Sequence, residues 1–151
     1  MDYVATLNRC KLILERTDLT REEKLQEVCE LLYDSKHYYD WVGYYFADHE
    51  KQILTLGPFI GEHTDHVIIP FGQGICGQVA LSNEVFLVED VYKQENYLSC
   101  SLNVKSEIVV PLFVEGINVG QIDIDSHTVN AFDTRDIELL THLNVEVAKL
   151  F

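Results

Sequence analysis

Three carboxylates and two cysteines are the side chains of this 151-residue chain best suited to chemistry. The run Gly120 to Ser126 (GQIDIDS) alternates, so Ile122 and Ile124 share one face of a strand while Asp123 and Asp125 share the other. Alternate residues of a strand lie about 6.5–7 Å apart, which makes the two acids near neighbours. Glu107 opens a second β-rich run (EIVVPLFV), and a turn at Glu115-Gly116 folds that run back so that Glu107 falls near residues 123–125. A solvent-facing polar side is the commoner explanation of an alternating strand. Three acids with no Lys or Arg on those faces argue for more. Mutual repulsion raises the pKa of at least one of them, and that carboxyl then keeps a proton. A protonated carboxyl beside a substrate is a general acid, and a cation or an ammonium group would relieve the repulsion equally well.

Residues 68–80 (IIPFGQGICGQVA) set Cys76 among Gly72, Gly74 and Gly77 in the letters of a dinucleotide-binding turn. A strand precedes it, and Glu89-Asp90 lies near the distance at which such a turn needs an acid. The rest of the context fails. Pro70 interrupts the approach, Ser82-Asn83 stop the following helix early, and the chain beyond reads as a hairpin instead of a second parallel half. NAD binding is therefore not expected. Two uses of the glycines remain: a tight turn with Cys76 packed inward, or a loop whose helix N-terminus meets an anion such as a carboxylate. Cys100 lies in a polar loop (NYLSCSLN) and, taken alone, reads as an incidental free thiol.

These residues need a scaffold, and its elements are legible. Residues 3–16 form a helix with Tyr3, Leu7, Cys10 and Leu14 on one stripe, and Thr20 to Glu23 is a capping box opening a second helix. Leu25, Val28, Cys29 and Leu32 recur along that second helix, so Cys29 and Cys10 read as core thiols. Asp40–Phe46, Lys51–Phe59 and His66–Ile69 read as strands, Ile75–Leu81 as a short helix and Val85–Val88 as a fourth strand. Asp90–Lys105 shows no period and reads as a long surface loop. Glu107–Val114 and Ile117–Ser126 are a strong hairpin, and Asp133 caps a last helix lined by Ile137, Leu140, Leu143, Val147 and Leu150. Helices, then a mainly antiparallel sheet, then a closing helix give an α+β class.

The length suits one domain. A formal net charge of −14, with 11 basic against 25 acidic residues and no basic cluster, argues against nucleic acid and anionic membranes. No apolar run is long enough to span a bilayer, and the charged N-terminus does not read as a signal peptide. A soluble, cytoplasmic protein is expected. Its four cysteines are then thiols by default, and no C-x-x-C or His/Cys spacing argues for a metal.

Taken in order, Trp41-Val42-Gly43-Tyr44-Tyr45, Leu56-Gly57-Pro58-Phe59, IPFGQGICG, Cys100, SEIVVPL and Asp123-Ile124-Asp125-Ser126 resemble the free methionine-(R)-sulfoxide reductases, which are single GAF domains. The resemblance covers roughly residues 20–150 and implies the rest. It implies a GAF-type fold over residues 1–151, with the N- and C-terminal helices on one side of the sheet, a homodimer, and no cofactor. Cys100 matches the family's catalytic cysteine, and Glu107, Asp123 and Asp125 match its site acids. Trp41 and Tyr45 match the aromatic wall around the substrate's methyl and sulfur. Cys76 matches a second cysteine in the glycine loop, where Gly74, Ile75 and Cys76 would meet the substrate carboxylate. The implied reaction leaves Cys100 as a sulfenic acid, recycled through a disulfide by a thioredoxin-like dithiol. The sequence departs from the pattern at His66, where the family usually has its resolving cysteine, at Tyr97, where a histidine is common, and at Ser101, where an aspartate is common. The alternative is a non-catalytic GAF domain that binds an amino acid or its oxide as a sensor.

Overall fold

The computed structural model describes residues 2–94 and 103–151. Helices α1 (Tyr3–Leu14) and α2 (Arg21–Ser35) come first. Asp2 caps α1 by accepting from the Ala5 N–H, and the capping box at Thr20 and Glu23 forms as expected. Helix α1 ends two residues before the expected boundary, where Arg16 turns to pair with Asp18 at 2.6 Å. Strands β1 (Trp41–Asp48), β2 (Ile53–Ile60) and β3 (Ile68–Pro70) follow, then α3 (Gly74–Ser82), β4 (Phe86–Val88), β5 (Ser106–Val114), β6 (Ile117–Ser126) and α4 (Thr134–Val147).

The strands make one sheet in the order β3-β2-β1-β6-β5-β4, and each neighbouring pair is antiparallel. Pro70 sits in β3 without harm because β3 is an edge strand, where a missing N–H costs no ladder bond. The β5–β6 hairpin turns on Glu115 and Gly116 at φ 52° and 81°, the paired positive values of a tight two-residue hairpin. The stretch expected to be a structureless loop from Asp90 opens with a 3₁₀ turn at Val91–Lys93. Asp90 caps that turn by accepting from the Tyr92 N–H.

Helices α1, α2 and α4 cover one face of the sheet. Leu25, Leu32, Tyr44, Ile108, Leu112, Ile122, Ile124, Leu139 and Leu140 are fully buried between them. Each such aliphatic side chain contributes about 1.5–3 kcal/mol, so this face supplies most of the fold's stability. Cys10 and Cys29 lie in that core as free thiols, and burial pushes the Cys10 thiol up to about 12. Asn144 is a polar exception there. It accepts from the Tyr44 hydroxyl at 2.9 Å and donates to the carbonyls of Val110 and Pro111 at 3.0 Å each, which locks α4 onto the sheet. The opposite face carries the acids, and α3 lies over it within a second, smaller core.

Candidate functional site

The site grows from the register of three central strands. Trp41, Gly43 and Tyr45 on β1 pair with Asp125, Asp123 and Gln121 on β6, and Glu107 and Val109 on β5 pair with Asp125 and Asp123. Period-two alternation puts all of them on the face away from the three large helices. The hairpin therefore brings Glu107 to Asp125 as expected. The face is not a solvated one: Glu107, Asp123 and Asp125 are 5%, 2% and 1% exposed.

Burial is the first cause that raises the pKa of Asp123 and of Asp125, and the charge of Asp123 adds to it at Asp125. The repulsion expected from the sequence is thus present but secondary. Glu107 hydrogen-bonds to both aspartates, which favours their charged forms and requires a proton between carboxyl groups. One oxygen of each aspartate, Oδ1, is buried with no hydrogen-bond partner among the described residues. No Lys or Arg is among the residues lining the two clefts that these acids border. The result is a buried acid cluster in which burial favours protonated carboxyl groups and one oxygen of each aspartate has no partner among the described residues.

The first cleft is narrow and is lined by Tyr45, His66, Ile69, Gln73, Gly74, Ile75, Cys76, Glu107 and Asp123. One wall is the start of α3. Gly74 has φ 63°, and a Cβ on Gly77 would stand 2.7 Å from the Pro70 carbonyl, so the glycines serve a close turn between β3 and α3. The N–H groups of Ile75 and Cys76 lie in the first turn of the helix, where N–H groups have no intrahelical acceptors, and both residues line the cleft. The tight turn with Cys76 packed inward is the arrangement found, and the helix N-terminus borders the cleft.

The Cys76 thiol donates to Asp123 Oδ2 at 3.3 Å. Burial, and then the charge of Asp123, raise its pKa well above the usual thiol range, so Cys76 rests as a thiol. Gln121 Nε2 donates to the Cys76 carbonyl at 3.0 Å and ties α3 to β6. Sequence reasoning missed Gln121, although it continues the alternation of Asp123 and Asp125 by one step.

The second cleft, of about 180 Å³, is lined by Tyr33, Asp40, Trp41, Glu62, Val104, Asp125 and His127. Trp41 stacks on Phe59 at 5.4 Å and lies 6.4 Å from the Tyr45 ring, while its Nε1 donates to the Glu62 carbonyl at 3.0 Å. The Tyr45 hydroxyl donates to the His66 carbonyl at 2.9 Å. The two aromatic residues form one wall, with Tyr45 on the first cleft and Trp41 on the second. Cys100, Tyr97 and Ser101 lie outside the described residues.

The GAF domain family matches residues 18–148. The chain is 33% identical over 149 residues to the free methionine-R-sulfoxide reductase of Escherichia coli, covering 99% of this chain and 88% of that protein. The chain belongs to the free methionine-R-sulfoxide reductase family. A solved free methionine-R-sulfoxide reductase from Neisseria meningitidis, in complex with its substrate, superposes with a TM-score of 0.91 at 32% identity, over 99% of this chain and 87% of that one. A type II free methionine-R-sulfoxide reductase from Thermoplasma acidophilum superposes with a TM-score of 0.82 at 38% identity, over 86% and 91% of the two chains. The six-stranded antiparallel sheet and its four helices are the family's GAF fold. No helix among the described residues is long and apolar enough to cross a membrane.

Proposed function

We propose that this chain, as a single GAF domain over residues 1–151, reduces free L-methionine-(R)-sulfoxide to methionine with Cys100 as the nucleophile. The observation that carries the proposal is the burial of three carboxyl side chains together, Glu107 and Asp123 on the first cleft and Asp125 on the second, with burial raising the pKa of both aspartates. A sulfoxide oxygen is a strong acceptor, and its removal needs a proton donor that stays protonated near neutral pH. Burial raises the pKa of Asp123 and Asp125 and so favours their protonated forms, the direction such a donor needs.

The substrate's methyl and sulfur rest against Trp41 and Tyr45. Its carboxylate meets the N–H groups of Gly74, Ile75 and Cys76, and its ammonium group balances the acidic lining. The acid cluster protonates the sulfoxide oxygen, and the Cys100 sulfur attacks the substrate sulfur. The oxygen passes to Cys100, the S–O bond of the substrate breaks, and methionine leaves as the thioether. Substrate sulfur gains two electrons and Cys100 loses them, becoming a sulfenic acid. A second thiol then attacks Cys100 and releases water as a disulfide forms. With His66 at the usual resolver's position, that thiol comes from Cys76 or from the reductant. A thioredoxin-like dithiol restores Cys100 by exchange. Such recycling suits the reducing cytoplasm, and the family resemblance implies a homodimer.

The test is turnover of separated R and S forms of free methionine sulfoxide, with dithiothreitol or with thioredoxin and its reductase. The proposal expects reduction of the R form alone and none by Cys100→Ser. Loss of activity in Cys76→Ser with thioredoxin only makes Cys76 the resolver, and full activity in both systems assigns that step to the reductant. Ligand-raised melting temperature without turnover would make the domain a sensor and overturn the proposal.

A further inference from the structure

We propose that Cys76, Glu107 and Asp123 also form a binding site for one zinc-class divalent cation. One ligand atom from each, the Cys76 sulfur and a carboxylate oxygen of each acid, lies within 4.8 Å of the others. The Cys76 Sγ to Asp123 Oδ2 separation is 3.3 Å. A tetrahedral ion with bonds of about 2.3 Å to sulfur and about 2.0 Å to oxygen sets its S···O edge at about 3.5 Å. The thiol–carboxylate edge is therefore close to what such an ion needs, and the Glu107 oxygen lies within 4.8 Å of both atoms.

An independent observation points the same way. Asp123 is 2% exposed and lines the cleft, and its Oδ1 has no hydrogen-bond partner among the described residues. A buried carboxylate with one oxygen unpartnered is costly, and a cation bound by that carboxylate, through Oδ2 or through both oxygens, offsets the cost. The donor set selects the ion. One sulfur with carboxylate oxygens suits zinc or cobalt, whereas magnesium and calcium take six or more oxygens. The net charge of −14 raises the local cation concentration. The three ligands come from α3, β5 and β6, which is why no spacing motif announces them.

Binding displaces the Cys76 thiol proton and the proton shared by the acids, so affinity rises with pH. The ion also takes the groups assigned above to the sulfoxide oxygen, so ion and sulfoxide exclude one another. That clause rests on the proposed activity, while the site itself does not.

The experiment is a titration of reduced protein with cobalt(II), read by the thiolate-to-cobalt charge-transfer band in the near ultraviolet. Wild type and Cys100→Ser should give the band at one equivalent, and Cys76→Ser should lack it. Asp123→Asn should keep the band with affinity lowered by about tenfold or more. That variant keeps the test decisive should Cys76→Ser fail to fold. No band in wild type, a band retained by Cys76→Ser, or undiminished affinity in Asp123→Asn would overturn the site. Turnover is measured separately. Activity without the band removes the site and spares the functional reading, and the band without activity does the reverse. In active protein, (R)-sulfoxide should bleach the band, and failure to do so would overturn mutual exclusion.

Discussion

Gly43→Ala tests how the fold holds its aromatic wall. The Trp41 indole lies flat over Gly43, and a Cβ there would stand 2.4 Å from Trp41 Cη2, 2.7 Å from Cζ3 and 2.9 Å from the Phe59 Cβ. Carbon contacts settle near 3.5–4.0 Å, so the ring must move by about 1 Å. It has little freedom to do so, being stacked on Phe59 and held through Nε1 to the Glu62 carbonyl. Overpacking of this kind costs about 1–3 kcal/mol. At roughly 2–4 °C per kcal/mol for a chain this size, the melting temperature should fall by roughly 2–12 °C. A displacement of about 1 Å at a substrate wall can cost up to about 100-fold in rate, so kcat/KM for free methionine-(R)-sulfoxide should fall at least tenfold. Gly116→Ala is the control. Its φ of 81° makes alanine strained, yet a Cβ there meets nothing within 4 Å, so it should lower stability and leave KM unchanged. The assays are a thermal melt and a dithiothreitol-coupled turnover series below the variants' melting temperatures. Wild-type melting and kinetics in Gly43→Ala would refute the positioning of Trp41 by that glycine.

Three further outcomes are expected. Asp123 and Asp125 bind protons more tightly folded than unfolded, so their stabilising contribution is complete below the ordinary carboxylate range and is lost as pH rises through their raised folded values. Asp125→Asn does not titrate, and its melting temperature should gain on wild type from about pH 4 to about pH 8; a constant or shrinking difference would contradict the assigned shifts. Asn144→Ala strips partners from the buried Tyr44 hydroxyl and from two strand carbonyls. At about 3 kcal/mol this lowers the melting temperature by roughly 6–12 °C while kcat/KM at 25 °C holds, because Asn144, Tyr44, Val110 and Pro111 line neither of the two clefts. Tyr45→Phe loses the bond to the His66 carbonyl and should raise KM about fivefold, equivalent to about 1 kcal/mol, as read by initial-rate kinetics.

Elements governed by local rules were legible from the residues. The capping boxes at Thr20 and Asp133 form because side-chain oxygens satisfy helix-end donors a few residues away. The GQIDIDS alternation fixed which side chains share a face, and the hairpin turn then brought Glu107 to Asp125. What covers that face is a tertiary matter. Alternation describes a polar side equally well in water or under a helix, and the packing of α3 over it decides in favour of burial. The origin of the pKa shifts changes for the same reason, from repulsion among acids to desolvation first. Gln121 escaped notice because an amide on a polar face carries no chemical signal until its contact with Cys76 is seen. The thiol–carboxylate grouping of Cys76 with Asp123 spans 47 positions, beyond the reach of any spacing motif.

The central claim is oxygen transfer to Cys100, and single-turnover mass spectrometry tests it most directly. Reduced Cys76→Ser protein is mixed with one equivalent of free methionine-(R)-sulfoxide and no reductant, then digested. The account predicts one equivalent of methionine and one added oxygen atom on the peptide carrying Cys100, with none after mixing with the S form. Methionine formed while Cys100 stays unmodified, or oxygen found on another residue, would contradict it.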